Sequence, residues 1–266
     1  MKHARAVEPA CAHHRLLQTY DLREVDSDRP RDVFRLKYLA RLQAVTGTVR
    51  QLVGPAGRVL EVGCSQANAG LLLAETGLTV LAVDLLPEAL TYALAKYERG
   101  AFHAVSASAE ALPVRDGAFD AAILGELLEH CADPAAIVAE AARTVRPGGF
   151  LVVTTPNGQY LRSRMPLYRP GRADEEWQLR QFGPEGADHL FAFTRESLLQ
   201  VLRDAGLAVV RTEFLGSALF SRRCGGLKRL FSPVRLLRLA QLLNRTPVLG
   251  RRLAPTLLAV AQKTGS

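Results

Sequence analysis

The chain has 266 residues, 48% hydrophobic and 23% charged, with a formal net charge of +8. These are the proportions of a soluble globular protein, in one large domain or a domain with an elaborated cap. No apolar run reaches the ~20 residues of a membrane span, and the first residues lack the apolar centre of an export signal. Cys11, Cys64, Cys131 and Cys224 lie far apart with no CxxC pairing, which argues against a zinc knuckle or disulfide framework and suits a reducing cytoplasm.

In chain order, residues 1–30 read as a polar, irregular arm. Residues 31–53 carry Val33, Leu36, Leu39, Leu42 and Val45 at helical spacing and end before GPAG. An alternation follows. RVLEVG is an apolar strand, ANAGLLLAETG a short helix and LTVLAVD a second strand. LPEALTYALAKYE is a helix with Pro87 in its first turn. AFHAVSA and FDAAILGE are strands, Asp133–Pro134 starts another helix, and FLVVTTPN is a fifth strand after RPGG. Residues 158–188 break the pattern and hold the single Trp177; a polar stretch that long reads as a lid or substrate loop. Thr194 is placed to cap a helix that Gly206 ends, LAVVRTEF is a strand, and PTLLAVAQKT reads as the last one. The expected fold is α/β: a Rossmann-like, doubly wound sheet, mostly parallel with an antiparallel last strand, helices on both faces, and a basic helical insertion near the C-terminus. The expected organisation is an arm (1–30), a cofactor-binding core (31–157), a lid (158–188) and the remaining core (189–266) interrupted at 216–254.

Charge is uneven along this plan. Through residue 210 there are 23 Lys and Arg against 25 Asp and Glu; from Arg211 onward there are 11 against one, Glu213. Residues 216–254 hold nine of those bases and no acid. Within them SPVRLLRLAQLLNR starts with Ser232 as cap and Pro233 at the first helical position. It puts Leu236, Leu239, Ala240 and Leu243 on one face and Arg235, Arg238, Gln241 and Arg245 on the other. That pattern suits a helix lying on an anionic membrane surface and equally a helix packing its apolar face on the domain.

The stretch VLEVGCSQANAG (59–70) has the form of a strand, a tight turn and a helix, the arrangement by which an open α/β sheet binds a nucleotide. Asp84 ends the next strand, 23 positions after Glu61, near the ~20 at which an acid takes ribose hydroxyls; a helix-cap role is the alternative. VLEVGC (59–64), VD (83–84), AEALPVRDGAFDAAI (109–123), LLEH (127–130), RPGGFLVVTTPN (146–157) and HLFAFTRESLLQVLRDAGLAVV (189–210) together resemble class I S-adenosylmethionine-dependent methyltransferases, in particular the ubiquinone-biosynthesis-type subgroup. The family loop GxGxG reads Gly63, Cys64, Ser65, Gln66, Ala67 here, and the acid that family members carry before AExLP is Ser108.

The resemblance implies S-adenosylmethionine as cofactor. It implies Glu61 and Gly63, with Cys64 and Ser65, beside the methionine part. It implies Asp84 on the ribose, Leu85 against the adenine, Ser108, Ala109 and Glu110 lining the adenine pocket, and the Gly125 carbonyl on the cofactor's amino group. A sulfonium methyl is already electrophilic, so the protein has to align the acceptor and exclude water; a hydroxyl acceptor also has to lose a proton, which suits histidine. His130, after the fourth strand, and His189, at the end of the lid, are the candidate bases, each weighed against a structural role. Glu126 and Glu129 lie in the same corner. Nothing in the sequence specifies a metal site; Cys11, His13 and His14 make only a superficial cluster.

The reading is a cytoplasmic O-methyltransferase acting on a small-molecule or lipid-linked acceptor, peripheral to the inner face of the membrane if 216–254 docks there. An RNA-directed enzyme and a non-catalytic scaffold that kept the fold are the alternatives. GELLEH in place of an Asn/Asp-Pro-Pro-aromatic turn, and few aromatics for base stacking, argue against nucleic acid. A nicotinamide-dependent dehydrogenase fits the later motifs poorly.

Overall fold

A computed structural model describes residues 1–26, 33–169, 189–217 and 232–265. Its elements run in the order α1 (Ala12–Glu24), α2 (Val33–Leu52), β1 (Arg58–Val62), α3 (Asn68–Ala74), β2 (Thr79–Asp84), α4 (Pro87–Lys96), β3 (Ala101–Ser106), β4 (Phe119–Gly125), α5 (Pro134–Thr144), β5 (Val145–Pro156), α6 (Arg195–Asp204), β6 (Leu207–Leu215), α7 (Pro233–Asn244), α8 (Pro247–Leu253) and β7 (Thr256–Lys263).

The seven strands form one sheet in the order β3-β2-β1-β4-β5-β7-β6. All neighbours from β3 to β5 pair parallel, and β7 pairs antiparallel with both β5 and β6. The period-two alternation of strand side chains divides the core into two layers. Val59, Val80, Ala82, Ile123, Val152 and Val260 meet α2, α3 and α4, whereas Leu60, Val62, Leu124, Val153 and Ala259 meet α5 and α6. Both faces are covered, which is why these strands are continuously apolar.

Local signals set the helix ends. Asp133 Oδ1 accepts the Ala136 N–H at 3.0 Å, and Thr194 and Ser197 exchange side-chain-to-backbone bonds in a capping box. Gly206 takes φ +75° after α6. β5 begins at Val145, earlier than expected, because RPGG is absorbed into the strand across an irregularity between Phe119 and Ala121 of its neighbour β4.

The irregular arm expected for residues 1–30 is corrected over Ala12–Glu24, which is helical and packs on α2 and α4. Its docking is polar. Lys96 Nζ donates to Asp21 Oδ2 at 2.7 Å and to Asn68 Oδ1 at 2.6 Å, and Asn68 Nδ2 donates to Asp21 Oδ1 at 2.7 Å. The Tyr92 hydroxyl completes the cluster on Asp21 Oδ2 at 3.0 Å. Burial pushes the Lys96 ammonium below its ordinary pKa, against the pull of Asp21.

In the basic insertion, α7 starts at Ser232, whose hydroxyl accepts the Arg235 N–H. It seats Ala240 and Asn244 against β6 and α2 while Arg235, Arg238, Gln241 and Arg245 stay exposed. A second helix, α8, follows it. Residues 170–188 of the expected lid, with Trp177, and residues 218–231 of the insertion lie outside the described residues. Before that gap Tyr168 is buried against Phe191 and Phe193, with ring centroids 4.9 and 4.7 Å away.

Candidate active site

The parallel strands β1, β2 and β4 end at one edge of the sheet, and a cavity of about 790 Å³ opens there. β1 carries Glu61 into it. The side chain is buried, and its Oε2 accepts the Gly70 N–H at 2.8 Å. A Cβ at position 70 would lie 2.4 Å from that oxygen, so glycine is what lets α3 approach the carboxyl. Burial pushes the Glu61 carboxyl up to about 7, eased by the Gly70 N–H and by Lys96.

The turn after β1 answers the question raised by its missing glycines. Gly63, Ser65 and Ala67 have φ of +64°, +46° and +51°. The alternate positions are all left-handed, although two carry a Cβ, at a cost of about 1–2 kcal/mol each. A Cβ at position 63 would stand 2.6 Å from Leu127 Cδ1, so there glycine also spares a shift of the Leu127 side chain. β2 holds the turn in place: Gly63 and Cys64 donate to the Val83 carbonyl at 2.8 and 3.1 Å. The Asp84 carboxylate accepts the Ser65 N–H at 2.8 Å and the Leu86 N–H at 3.0 Å. Each carboxylate oxygen keeps a lone pair for a further donor.

Every residue that the sequence assigns to the cofactor lies on this cavity: Glu61, Gly63, Cys64, Ser65, Asp84, Leu85, Ser108, Ala109, Glu110 and Gly125. The Ser108 hydroxyl accepts the Glu110 N–H at 3.2 Å. Leu85 is 55% exposed, an apolar side chain at the cavity rim. Burial raises the Cys64 thiol well above its ordinary pKa, ahead of the charges of Glu61 and Asp84, so Cys64 packs as a neutral group. The residues fit S-adenosylmethionine on an independent count too. Glu126 Oε1 and Thr154 Oγ1 line the cavity, are buried, and have no hydrogen-bond partner among the described residues; chemically both can accept from a cationic amino group.

Two further contributors, the helices α1 and α2, are not assigned to the site by the sequence reading. α1 supplies His13, Leu16 and Tyr20, and α2 supplies Tyr38, Arg41, Leu42 and Val45. The α2 set follows an i, i+3, i+4, i+7 stripe, a signal present in the sequence but mixed with polar residues. Arg41 Nη1 pairs with Glu126 Oε2 at 3.0 Å, and its guanidinium lies 5.1 Å from the Tyr38 ring centroid. Glu126 itself adopts φ +54°.

The candidate bases meet at the same corner. A 3₁₀ turn, Leu128–His130, follows β4, and His130 lines the cavity. The Leu190 N–H donates to the Glu129 carbonyl at 2.8 Å, which brings His189 back across the long loop. The two imidazoles stand edge to face with centroids 4.6 Å apart. Glu129 lies beneath them, fully buried; its Oε2 accepts the Thr155 hydroxyl at 3.0 Å, and its Oε1 is 4.0 Å from His189 Nε2. Burial, then the charge of Glu126, raises the Glu129 carboxyl well above the carboxylate range. Ligand atoms of Glu129, His130 and His189 all lie within 4.8 Å of one another, a convergence the sequence reading, which assigns no metal ligands, does not anticipate. Cys11, by contrast, caps α1 by accepting the His14 N–H, and His14 Nε2 lies 2.9 Å from Thr91 Oγ1.

Comparison with known proteins agrees with this geometry. Residues 60–153 match the family described as "Methyltransferase domain". The chain is 32% identical over 187 residues to the ubiquinone biosynthesis O-methyltransferase of Xanthomonas axonopodis pv. citri (strain 306), covering 68% of this chain and 74% of that protein. It is 35% identical over 162 residues to the enzyme of the same name from Burkholderia pseudomallei (strain 1710b), covering 59% of this chain and 66% of the relative, just under two thirds. Among solved structures, an S-adenosylmethionine-dependent methyltransferase from Mesorhizobium loti superposes with a TM-score of 0.58 at 17% identity, covering 84% of this chain and 98% of that one. That likeness is one of fold.

Proposed function

Because the chain belongs to the S-adenosylmethionine-dependent methyltransferases and takes S-adenosylmethionine as its cofactor, we propose that it methylates a hydroxyl of a small-molecule or lipid-linked acceptor. The observation that carries the reading is the His130–His189 ring pair, of which His130 lines the cofactor cavity. Bound there, the cofactor supplies an electrophilic methyl group. The chain's own residues have three tasks. Asp84 holds the ribose, with Glu61 and the turn from Gly63 to Ser65 beside the methionine part. Glu126, Thr154 and the Gly125 carbonyl receive the amino group. His130 takes the acceptor's hydroxyl proton, with His189 and Glu129 orienting its ring.

The activity named for the relatives, O-methylation in ubiquinone biosynthesis, makes a hydroxyl-bearing ubiquinone precursor the first acceptor to test. The same reading places the enzyme in the cytoplasm, with α7 at the inner face of the membrane where a lipid-linked acceptor resides. What supports it is the basic composition of 216–254; among the described residues no helix is long and apolar enough to cross a membrane. No observation favours an RNA substrate or a non-catalytic scaffold. The test is transfer of labelled methyl from S-adenosylmethionine to such a precursor. Label in the O-methyl product supports the proposal. A folded, cofactor-binding protein that transfers to no hydroxyl acceptor in a panel refutes it.

A further inference from the structure

A second cavity, of about 800 Å³, shares no lining residue with the first and lies among α2, β6, α7 and α8. Arginines from four places in the chain converge on it: Arg195 at the start of α6, Arg211 on β6, Arg245 just after α7 and Arg251 in α8. Two carboxylates oppose them. Glu213 pairs with Arg211 at 3.1 Å, and Glu196 pairs with Arg251 at 2.6 Å. Arg211 is further fixed by donating from Nη2 to Thr48 Oγ1 at 2.6 Å.

The other two guanidinium groups keep their forks. Among the described residues Arg195 donates only from Nε, to Thr212 Oγ1 at 3.0 Å, which leaves the Thr212 proton able to donate onward. The Arg245 side chain makes no hydrogen bond or ion pair with the described residues. Among the described residues the site therefore holds two uncompensated positive charges and a hydroxyl donor beside the apolar lining of Ala40, Ala44, Phe214, Leu215 and Ala240. Asn244, 9% exposed, ties α7 to the end of β6 by donating to the Phe214 and Gly216 carbonyls at 2.8 and 2.6 Å. Asn244 Oδ1 is buried and has no partner among the described residues.

We propose that this cavity is a phosphate-ester site. The oxyanion sits on Arg195, Arg245 and Thr212, and the organic part of the ligand lies against the apolar lining. Guanidinium forks match phosphate oxygens two by two, which an ammonium does not. The phosphate comes either from a soluble phosphorylated compound or from a phospholipid headgroup; α7 and α8, which contribute to the lining, also expose Leu242 and Leu249.

The experiment uses the full chain, titrated calorimetrically with inorganic pyrophosphate and sedimented with phosphatidylglycerol or phosphatidylcholine vesicles. The double variant R195Q/R245Q is compared with R99Q/R115Q, which removes the same charge from exposed positions elsewhere. S-adenosylmethionine binding is read in every sample, so folding and the first cavity are monitored separately. The expected result is binding by the wild type and by R99Q/R115Q, at least tenfold weaker in R195Q/R245Q, with cofactor affinity unchanged. Pyrophosphate binding without vesicle binding assigns a soluble ligand, and the reverse assigns a lipid headgroup. The proposal is overturned if the wild type binds neither probe, if both double variants lose binding equally, or if R195Q/R245Q loses none.

Discussion

Asp84→Ala tests the centre of the cofactor site. In the folded chain both carboxylate oxygens are already engaged, by the Ser65 and Leu86 N–H groups at 2.8 and 3.0 Å. The residue therefore does two things at once: it holds the left-handed turn and offers its remaining lone pairs to the cavity. Hydrogen bonds to a charged group contribute about 1.5–3 kcal/mol each. Losing one such contact to the ribose should weaken S-adenosylmethionine binding by roughly 10- to 150-fold, read by calorimetry. Asp84→Asn is no conservative change here. Its NH₂ would face one of the two backbone donors and leave it unsatisfied, costing about 1–3 kcal/mol of stability. Loop distortion and ribose contact are separated by a 2′-deoxy analogue of S-adenosylhomocysteine. The missing hydroxyl should reduce wild-type affinity and make little further difference to Asp84→Ala. A folded Asp84→Ala protein that binds S-adenosylmethionine within twofold of wild type would refute the ribose assignment.

Other perturbations read other parts of the molecule. His130→Gln should lower methyl transfer by about 10²–10⁴-fold while leaving S-adenosylmethionine affinity within twofold; a lost affinity instead would make His130 a binding residue. Glu61 carries its proton more tightly in the folded state, from an ordinary 4.5 up to about 7, so its contribution to stability is full below pH 4.5 and falls as pH rises to 7. Between those values the ligand-free wild type should lose up to roughly 3 kcal/mol more than Glu61→Gln in urea titrations, and parallel losses would sink the assignment. Asp21→Ala strands the Lys96 ammonium, 1% exposed, and should cost about 3–5 kcal/mol, with residues 1–26 becoming sensitive to limited proteolysis; an unchanged urea midpoint would show that α1 is held by something else.

The parts of the fold that were legible are those written in apolar pattern. β1, β2, β4 and β5 are continuous apolar runs because both faces are covered, and Asp133, Thr194 and Ser232 announce helix starts by side-chain caps. α1 was not legible because it docks through Asp21, His14 and one leucine, Leu17, rather than an apolar stripe; its partners Asn68 and Lys96 lie 47 and 75 positions away. The insertion of β7 between β5 and β6 likewise rests on pairing between distant segments. In the site, Arg41 and Tyr38 were hidden inside a helix read only for its leucines and valines. His189 was found as a candidate, but its meeting with His130 depends on the Leu190–Glu129 hydrogen bond, which no motif encodes.

The turn at 63–67 shows why a motif of glycines can lose two of them. The left-handed backbone positions persist at Ser65 and Ala67: the Ser65 N–H donates to the Asp84 carboxylate on the next strand, and the Ala67 N–H donates to the Cys64 carbonyl at 2.7 Å. At Gly63 a Cβ would also press on the Leu127 side chain, 2.6 Å from its Cδ1, so a substitution there needs Leu127 to shift. Conformation and contact therefore separate the three positions, and only the first adds a side-chain contact to the backbone angle. Ser65→Gly isolates the conformational part. Relief of about 1–2 kcal/mol of left-handed strain is offset by about 0.4–1 kcal/mol of added unfolded-chain entropy, so the variant should gain roughly 0.5–1 kcal/mol in urea unfolding with cofactor affinity unchanged. A loss of stability would mean that the Ser65 side chain, through its 3.1 Å contact with Gln66, contributes more than its backbone angle costs.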